Sequence, residues 1–393
     1  MGVLSGFRVI ELAGMGPCPM AGMLLADMGA EVICVDRGLE NDPMYAKDMS
    51  RRGKKSIVLD LKSDDGRSLF LKLVATADVL IEGFRPGVME KLGIGPEECH
   101  GINPELIYGR MTGWGQDGPL AKNAGHDINY ISLTGALHAI GRSGEKPVVP
   151  LNLVGDFGGG TLFLVMGILG ALLETGRSGK GQVVDAAMVD GVANLMWMCH
   201  SFNAVGLWNL GERESNLLDG AAFFYDTYET GDGKYLALGA IEPHFFSRFV
   251  ELMGLDKTLF NASAQSDPSQ WQALKHELSE AFRQKTRDEW CALLEDSDAC
   301  VSPVLSADEA PHHPHNSARD SYLPVDGYLQ PAPAPRFSRT PSSVLHGRRQ
   351  PGADTRSLLA GLGLRGEDIE KLEQQGTVAC AGAPESAQEL ESN

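Results

Sequence analysis

The chain has 393 residues and a net charge of −18, from 34 Lys+Arg against 52 Asp+Glu; it is 43% hydrophobic, with 47 Gly and 21 Pro. The length predicts two or three packed units and the composition a globular chain, which excludes low-complexity functions. The charge repels a phosphate backbone, so no nucleic-acid partner is expected.

The seven cysteines (Cys18, Cys34, Cys99, Cys199, Cys291, Cys300 and Cys380) are scattered, odd in number and free of any C-x-x-C pair, which predicts a reduced intracellular chain. The opening MGVLSGFRVIELAG enters an apolar strand at once, so no signal peptide or transit helix is expected. Gly6 stands where a myristoylation signal needs Ser or Thr. The longest uncharged stretch, Phe157 to Leu173, is broken by glycines and sits at the lower limit of the ~17 to 25 residues a bilayer span needs. A buried, closely packed helix is expected there, and no membrane span.

In chain order, FRVIELA (7–13) reads as a buried strand, MAGMLLADMGA (20–30) as a helix and EVICVDR (31–37) as a second strand, which together make a βαβ unit. Beyond the basic turn Arg51, Arg52, Lys54, Lys55 come a strand SIVLDL (56–61), a helix (65–77), a short strand DVLIEGF and a further strand LIYGRMTGW (106–114). This alternation predicts a mostly parallel sheet covered by helices. From Asp156 to about Trp208 the pattern is helical, broken by the turn Gly176–Gln182. Near Ala222 it becomes a hairpin turning at Gly231-Asp232-Gly233, followed by amphipathic helices. Pro311–Pro341 reads as an exposed return strap, the stretch after Thr355 as two short helices, and the last residues as a frayed tail.

Gly14 and Gly16 lie between a strand and a helix, with Asp36 ending the next strand, but Pro19 occupies the third glycine position of a dinucleotide fingerprint. No P-loop is present, and His312, His313 and His315 lack partner ligands, so no metal is assigned. The basic run is either a solvated surface or, with Arg37 and Arg85 at nearby strand ends, a collector of phosphates. Two segments carry more chemistry. In AGHDINYISLTG, adjacent His126 and Asp127 stand where a helix starts. In PLNLVGDFGGG, Asp156 is either a helix cap or a site acid with a raised pKa. Glu242, after a hydrophobic strand, reads alone as a loop acid.

Taken together, VIELAG, LADMGAEVICVDR, RGKKSIVLDLK, NPELIYGRMTGWGQDGP, AGHDINY, PLNLVGDFGGG, GKGQVVDAAMVDG, LLDGAAFFYDTY and GAIEPHFF resemble the class III CoA-transferase superfamily, and within it the branch that racemises 2-methylacyl-CoA thioesters. The resemblance implies an α/β fold: a large Rossmann-like, CoA-binding domain with a parallel sheet (1–190), linking helices (191–221) and a small α/β domain (222–310). A return strap and C-terminal helices (311–381) rejoin the large domain ahead of a flexible tail (382–393), and two chains form an interlocked homodimer.

The resemblance also implies an isomerase that interconverts (2R)- and (2S)-2-methylacyl-CoA through an enolate. His126 and Asp156 carry the proton, Glu242 orients His126, and the backbone N–H of Asp127 meets the enolate oxygen. CoA contacts carry over to Arg37, Leu59, Asp60, Leu61, Lys62, Arg85 and the run Gly125, His126, Asp127, Ile128, Asn129, Tyr130. No separate cofactor is implied, because CoA is part of the substrate thioester. Met188, Met196, Met198 and Trp197 are either an acyl groove or plain core. The alternatives are a CoA-transferase acting through Asp156, or a CoA-binding protein without catalysis. The implied location is peroxisome or mitochondrion in a eukaryote and cytoplasm in a bacterium, although no C-terminal S-K-L signal is visible. The family's frequent G-x-H-T reads here Gly352-Ala353-Asp354-Thr355, a departure from the resemblance at that local contact.

Overall fold

The computed structural model describes residues 2–39 and 47–381; the expected tail at 382–393 lies outside them. The chain divides into two compact units. The first takes residues up to 133, 151–195 and from 320 onward, and the second takes 134–150 and 196–319.

The first unit opens with β1 (Arg8–Leu12), α1 (Pro17–Asp27), β2 (Glu31–Asp36), β3 (Lys54–Leu59), α2 (Asp64–Val74), β4 (Val79–Glu82), α3 (Pro96–Ile102) and β5 (Ile107–Thr112). Helix α1 starts before the expected Met20 because Pro17 occupies its first turn, where a missing N–H costs nothing. Then come α4 (Asp127–Leu133), a wide-turned π-helical segment Leu153–Thr161, α5 (Leu162–Ser178), β6 (Gln182–Ala187) and α6 (Met188–Leu195). Strand β6 falls where the sequence pattern points to a turn followed by helix. Its β-branched Val183 and Val184 extend the chain alongside β5, from Ile107↔Gln182 to Thr112↔Ala187.

The six strands run parallel in the order β3-β2-β1-β4-β5-β6. Alternate residues feed two cores, one on each face: Val9, Ile81 and Ile107 meet α1 and α5, while Ile10, Leu80 and Tyr108 meet α2. Strand order reverses between β1 and β4, which opens a crevice at their carboxyl ends.

The helical stretch Leu153–Ser178 has mean hydropathy 1.7 and is, among the described residues, the one segment long and apolar enough to cross a membrane. The expected packing holds along part of the helix. Leu164, Val165, Ile168 and Ala171 pack inward, whereas Leu162, Met166 and Leu173 are exposed on this chain.

The second unit holds α7 (Trp197–Ala204), β7 (Tyr225–Glu229), β8 (Tyr235–Gly239), α8 (Pro243–Met253), α9 (Pro268–Phe282), α10 (Arg287–Leu294) and β9 (Val301–Val304). Its strands form an antiparallel sheet in the order β7-β8-β9, with the expected hairpin turn, over an aromatic core of Phe223, Phe224, Phe246, Phe249, Phe282 and Trp290.

The first unit resumes with β10 (Tyr322–Val325) and β11 (Tyr328–Pro331), then α11 (Thr355–Gly361), α12 (Gly366–Gln374) and β12 (Val378–Ala379). The expected strap thus contains a hairpin. Asp326 (φ 51°) and Gly327 (φ 78°) both have positive φ, the two-residue turn that an Asp-Gly pair favours. Strand β12 pairs antiparallel with β3 at the sheet edge. Asp354 makes two ties: its Oδ2 accepts from Ser56 N (3.0 Å) and its Oδ1 pairs with Arg349.

The basic run does not gather phosphates, because all four side chains neutralise carboxylates of the same unit. Arg51 grips Asp36 through two bonds (2.9 and 2.6 Å), Arg52 grips Asp27, Lys54 reaches Glu11 (2.6 Å) and Lys55 reaches Glu31 (2.5 Å). Asp36 also accepts from Ser56 Oγ, which leaves nothing for a ribose hydroxyl. Lys54 and Glu11 are each only 2% exposed. They fit beneath α1 because residue 22 is glycine: a Cβ there would stand 1.7 Å from Glu11 Oε2. Burial pushes the Glu11 carboxyl up, and Lys54 opposes that shift. Lys54→Met should therefore destabilise the unit by about 3–5 kcal/mol in chemical denaturation, while Glu11→Leu with Lys54→Met should recover most of the loss. Equal losses in the single and double variants would show that the pair is not the determinant.

Candidate active site

The crevice between β1 and β4 is a cleft of about 550 Å³ walled by the loops that follow β1, β4 and β5 and by the approach to α4. Among its lining residues are Gly16, Arg85, Gly125, His126, Tyr130 and Asp156. His126 is exposed and Asp156 half-buried.

His126 is placed by its neighbours at the head of α4. Its backbone N–H donates to Asn129 Oδ1 (3.0 Å), and its carbonyl accepts from the N–H of Asn129 (2.8 Å) and Tyr130 (3.3 Å). The Tyr130 hydroxyl closes the loop by donating to the carbonyl of Gly125, and its ring meets Trp114 edge-on with centroids 4.7 Å apart. Asp127, the first residue of α4, has a buried side chain whose Oδ1 accepts from the backbone N–H of Asp156 (2.8 Å). One short helix therefore holds His126 at the cleft and fixes the backbone of Asp156.

Asp156 lies in the wide-turned segment, a distortion that often marks functional positions. Thr161 Oγ1 ties the end of that segment to the carbonyls of Pro17 (3.0 Å) and Asp156 (3.2 Å). The glycines that follow Asp156 serve packing: a Cβ on Gly191 of α6 would stand 1.9 Å from the carbonyl oxygen of Gly159. Asp156 is not a helix cap. Its Oδ2 accepts from the side-chain amide of Asn152 (3.1 Å), and no backbone N–H reaches the carboxylate among the described residues. The turn after β1 lies close by, since a Cβ on Gly16 would be 3.5 Å from the same oxygen.

Burial pushes the Asp156 carboxyl up and the Asp127 charge adds to that, while the Asn152 bond and His126 pull it down. Burial likewise raises Tyr130, with a further push from Asp156 and an opposing pull from Arg85.

The remaining expected site residues are spread more widely. Arg37, after β2, is exposed with its guanidinium 5.4 Å from the ring of Phe84, a cleft residue. Leu59 is 1% exposed inside the core, so its side chain meets no ligand. Asp60 Oδ1 accepts from Lys62 N (3.0 Å) in the turn before α2, leaving Lys62 exposed and Leu61 packed on the core. Ile128 and Asn129 do not line the cleft. Glu242 is the N-cap residue of α8 in the second unit and makes no capping bond with its side chain. Met188 lines the cleft, while Met196, Trp197 and Met198 belong to the second unit. His313, from the histidine cluster, pairs with Glu295 (2.5 Å). Sequence reasoning missed Asn152; its signal is a polar residue four positions before Asp156, just ahead of the wide-turned segment. Because the Asn152 amide favours the charged carboxylate, Asn152→Ala should raise the Asp156 pKa further. Carbonyl-carbon NMR titration, assigned with Asp156→Asn, should show the curve moving to higher pH; a curve that stays in place would remove Asn152 from the site.

A profile of CoA-transferase family III matches residues 4–355. The chain is 46% identical over 375 residues to the alpha-methylacyl-CoA racemase of Mus musculus, covering 94% of this chain and 96% of that protein. Identity to the alpha-methylacyl-CoA racemase of Homo sapiens is 44% over the same shares. Among solved structures, a CAIB/BAIF family protein from Brucella suis superposes with a TM-score of 0.79 at 27% identity, over 92% of this chain and 99% of that one. The parallel sheet, the cleft at its reversal point and the match through nearly the whole length agree: the chain belongs to CoA-transferase family III.

Proposed function

We propose that the cleft interconverts (2R)- and (2S)-2-methylacyl-CoA thioesters by moving a proton at C2. The observation that carries this reading is that His126 and Asp156, two proton carriers from different segments, line one cleft. Burial raises the Asp156 carboxyl, which favours its protonated form. A transferase needs Asp156 as an ionised nucleophile, which the same burial disfavours.

In one direction neutral His126 takes the proton from C2, and the C–H electron pair moves into the thioester carbonyl to form an enolate. Protonated Asp156 then delivers its proton to the opposite face, which re-forms the carbonyl; the reverse direction exchanges the two roles. The backbone N–H of Asp127 stabilises the enolate oxygen, as the resemblance implies. CoA enters as part of the substrate, with Arg37, Lys62 and Arg85 as cations for its phosphates.

We further propose that the chain works as a homodimer. The exposed Leu162, Met166 and Leu173 support this, because they stand four and seven residues apart on α5 and leave large apolar side chains of that helix uncovered on a single chain. Met166→Glu with Leu173→Lys should give a smaller species in analytical ultracentrifugation; a wild-type monomer would overturn the proposal.

Incubation with (2R)-2-methylacyl-CoA in deuterated water should give epimerisation with deuterium at C2. CoA exchange onto an added free acid would point instead to a transferase, and binding without either reaction to a CoA-binding protein. His126→Ala and Asp156→Asn should each slow epimerisation by on the order of 10²–10⁴. Full activity in Asp156→Asn would refute the two-carrier mechanism.

A further inference from the structure

One polar atom beside the cleft has no partner. Asp127 is 7% exposed, and while its Oδ1 accepts from Asp156 N, its Oδ2 is buried without a hydrogen bond among the described residues. Leaving a carboxylate oxygen dry and unpaired is costly, and a neutral side chain with one acceptor would hold Asp156 N equally well. The surrounding sequence also makes room for this carboxylate. A Cβ on Gly155 would stand 2.3 Å from Asp127 Oδ1 and 2.8 Å from its Cγ, so glycine before Asp156 is what lets the carboxylate approach.

We propose that the carboxylate of Asp127 is a positioning residue for Asp156, fixing its backbone through Oδ1 and keeping, through the unpaired Oδ2, a negative charge directly behind it. The inference rests on the proton-transfer reading of Asp156 and assigns Asp127 a side-chain role separate from that of its backbone N–H. Like charges in a dry site favour the neutral form of their neighbour, so Asp127 keeps Asp156 able to hold a proton. The other groups facing Asp156 act differently. His126 and the Asn152 amide favour its charged form, Tyr130 is neutral and Arg85 acts on Tyr130; Cys18 on α1 is held as a thiol by burial. On α6, the charge of Asp190 is felt by Asp185. Asp127 is thus the acidic group that pushes Asp156 upward.

The test compares kcat/KM for 2-methylacyl-CoA epimerisation against pH in the wild type and four variants, with melting temperature as a check on folding. Asp127→Asn keeps an acceptor for Asp156 N and loses the charge, so its acid limb should move to lower pH by about one unit. Asp127→Ala loses both and should fall at least about tenfold below Asp127→Asn at every pH. Gly155→Ala keeps the charge but displaces the carboxylate, and should lose about tenfold in kcat; it also serves if Asp127→Asn does not fold. An unmoved acid limb in Asp127→Asn overturns the electrostatic role. Equal rates in Asp127→Asn and Asp127→Ala, or full activity in Gly155→Ala, overturn the positioning role. Asp156→Asn in the same assay separates these failures from that of the parent reading: if it epimerises at full rate, the role of Asp156 itself falls.

Discussion

A carboxylate on a middle strand of a buried parallel sheet must meet a cation or lose its charge, and this constraint organises the first unit. Glu11 on β1 meets Lys54 from β3, and the pair is roofed by α1 at Gly22. Arg51 and Arg52 answer Asp36 and Asp27 in the same way, so one short basic run locks the end of β2, the end of α1 and the start of β3 to each other. On the other side of the reversal point, Arg110 on β5 answers Glu82 on β4 (2.8 Å), whose other oxygen receives the N–H of Phe84 (2.7 Å). Buried pairs of this kind add little net stability but penalise any arrangement that parts them, and so they select one packing. The loops that wall the cleft leave from these locked strand ends.

The site itself is built from close approaches. The wide-turned segment reaches α6 through facing glycines, Gly155 admits the Asp127 carboxylate, and the turn at Gly16 lies against Asp156. The acid stands where the turn after β1, the head of α4 and the wide-turned segment meet. Its position is therefore a property of the fold more than of its own rotamer, and its raised affinity for a proton follows from the same enclosure.

Much of this was legible in the sequence because it depends on local pattern. The alternation of β1, α1, β2, β3 and α2 follows from apolar period and turn residues, and the head of α4 from a polar pair ahead of an apolar run. What stayed hidden depends on partners distant in the chain. Arg51, Arg52, Lys54 and Lys55 look like a surface charge run until their four carboxylates are in place. Strand β6 was obscured because QVVDAA merges into the helical pattern of α6, and only its pairing with β5 decides the matter. The hairpin at Asp326-Gly327 carried a readable turn signal, outweighed by the prolines around it. In the site, His126, Asp127 and Asp156 stood out as adjacent or isolated polar residues in apolar surroundings, whereas the bond from Asp156 N to Asp127 spans two segments and left no local trace.

The pairing of β12 with β3 bears on how the chain is made. Strand β3 lies among the first sixty residues, yet its outer edge is covered by Val378 and Ala379, and Ser56 and Val58 on it also give their N–H groups to Asp354 and Thr355. During synthesis from the N-terminus those donors and acceptors wait for nearly the whole chain to emerge. In the interval the growing sheet presents an open parallel edge, the kind of surface that recruits strands from other chains. Residues 134–150 and 196–319 form their own unit and are complete before that edge is closed. The order of completion is thus inverted: the unit interrupting the sequence is finished first, and the sheet that carries the cleft is sealed by β12, translated after it.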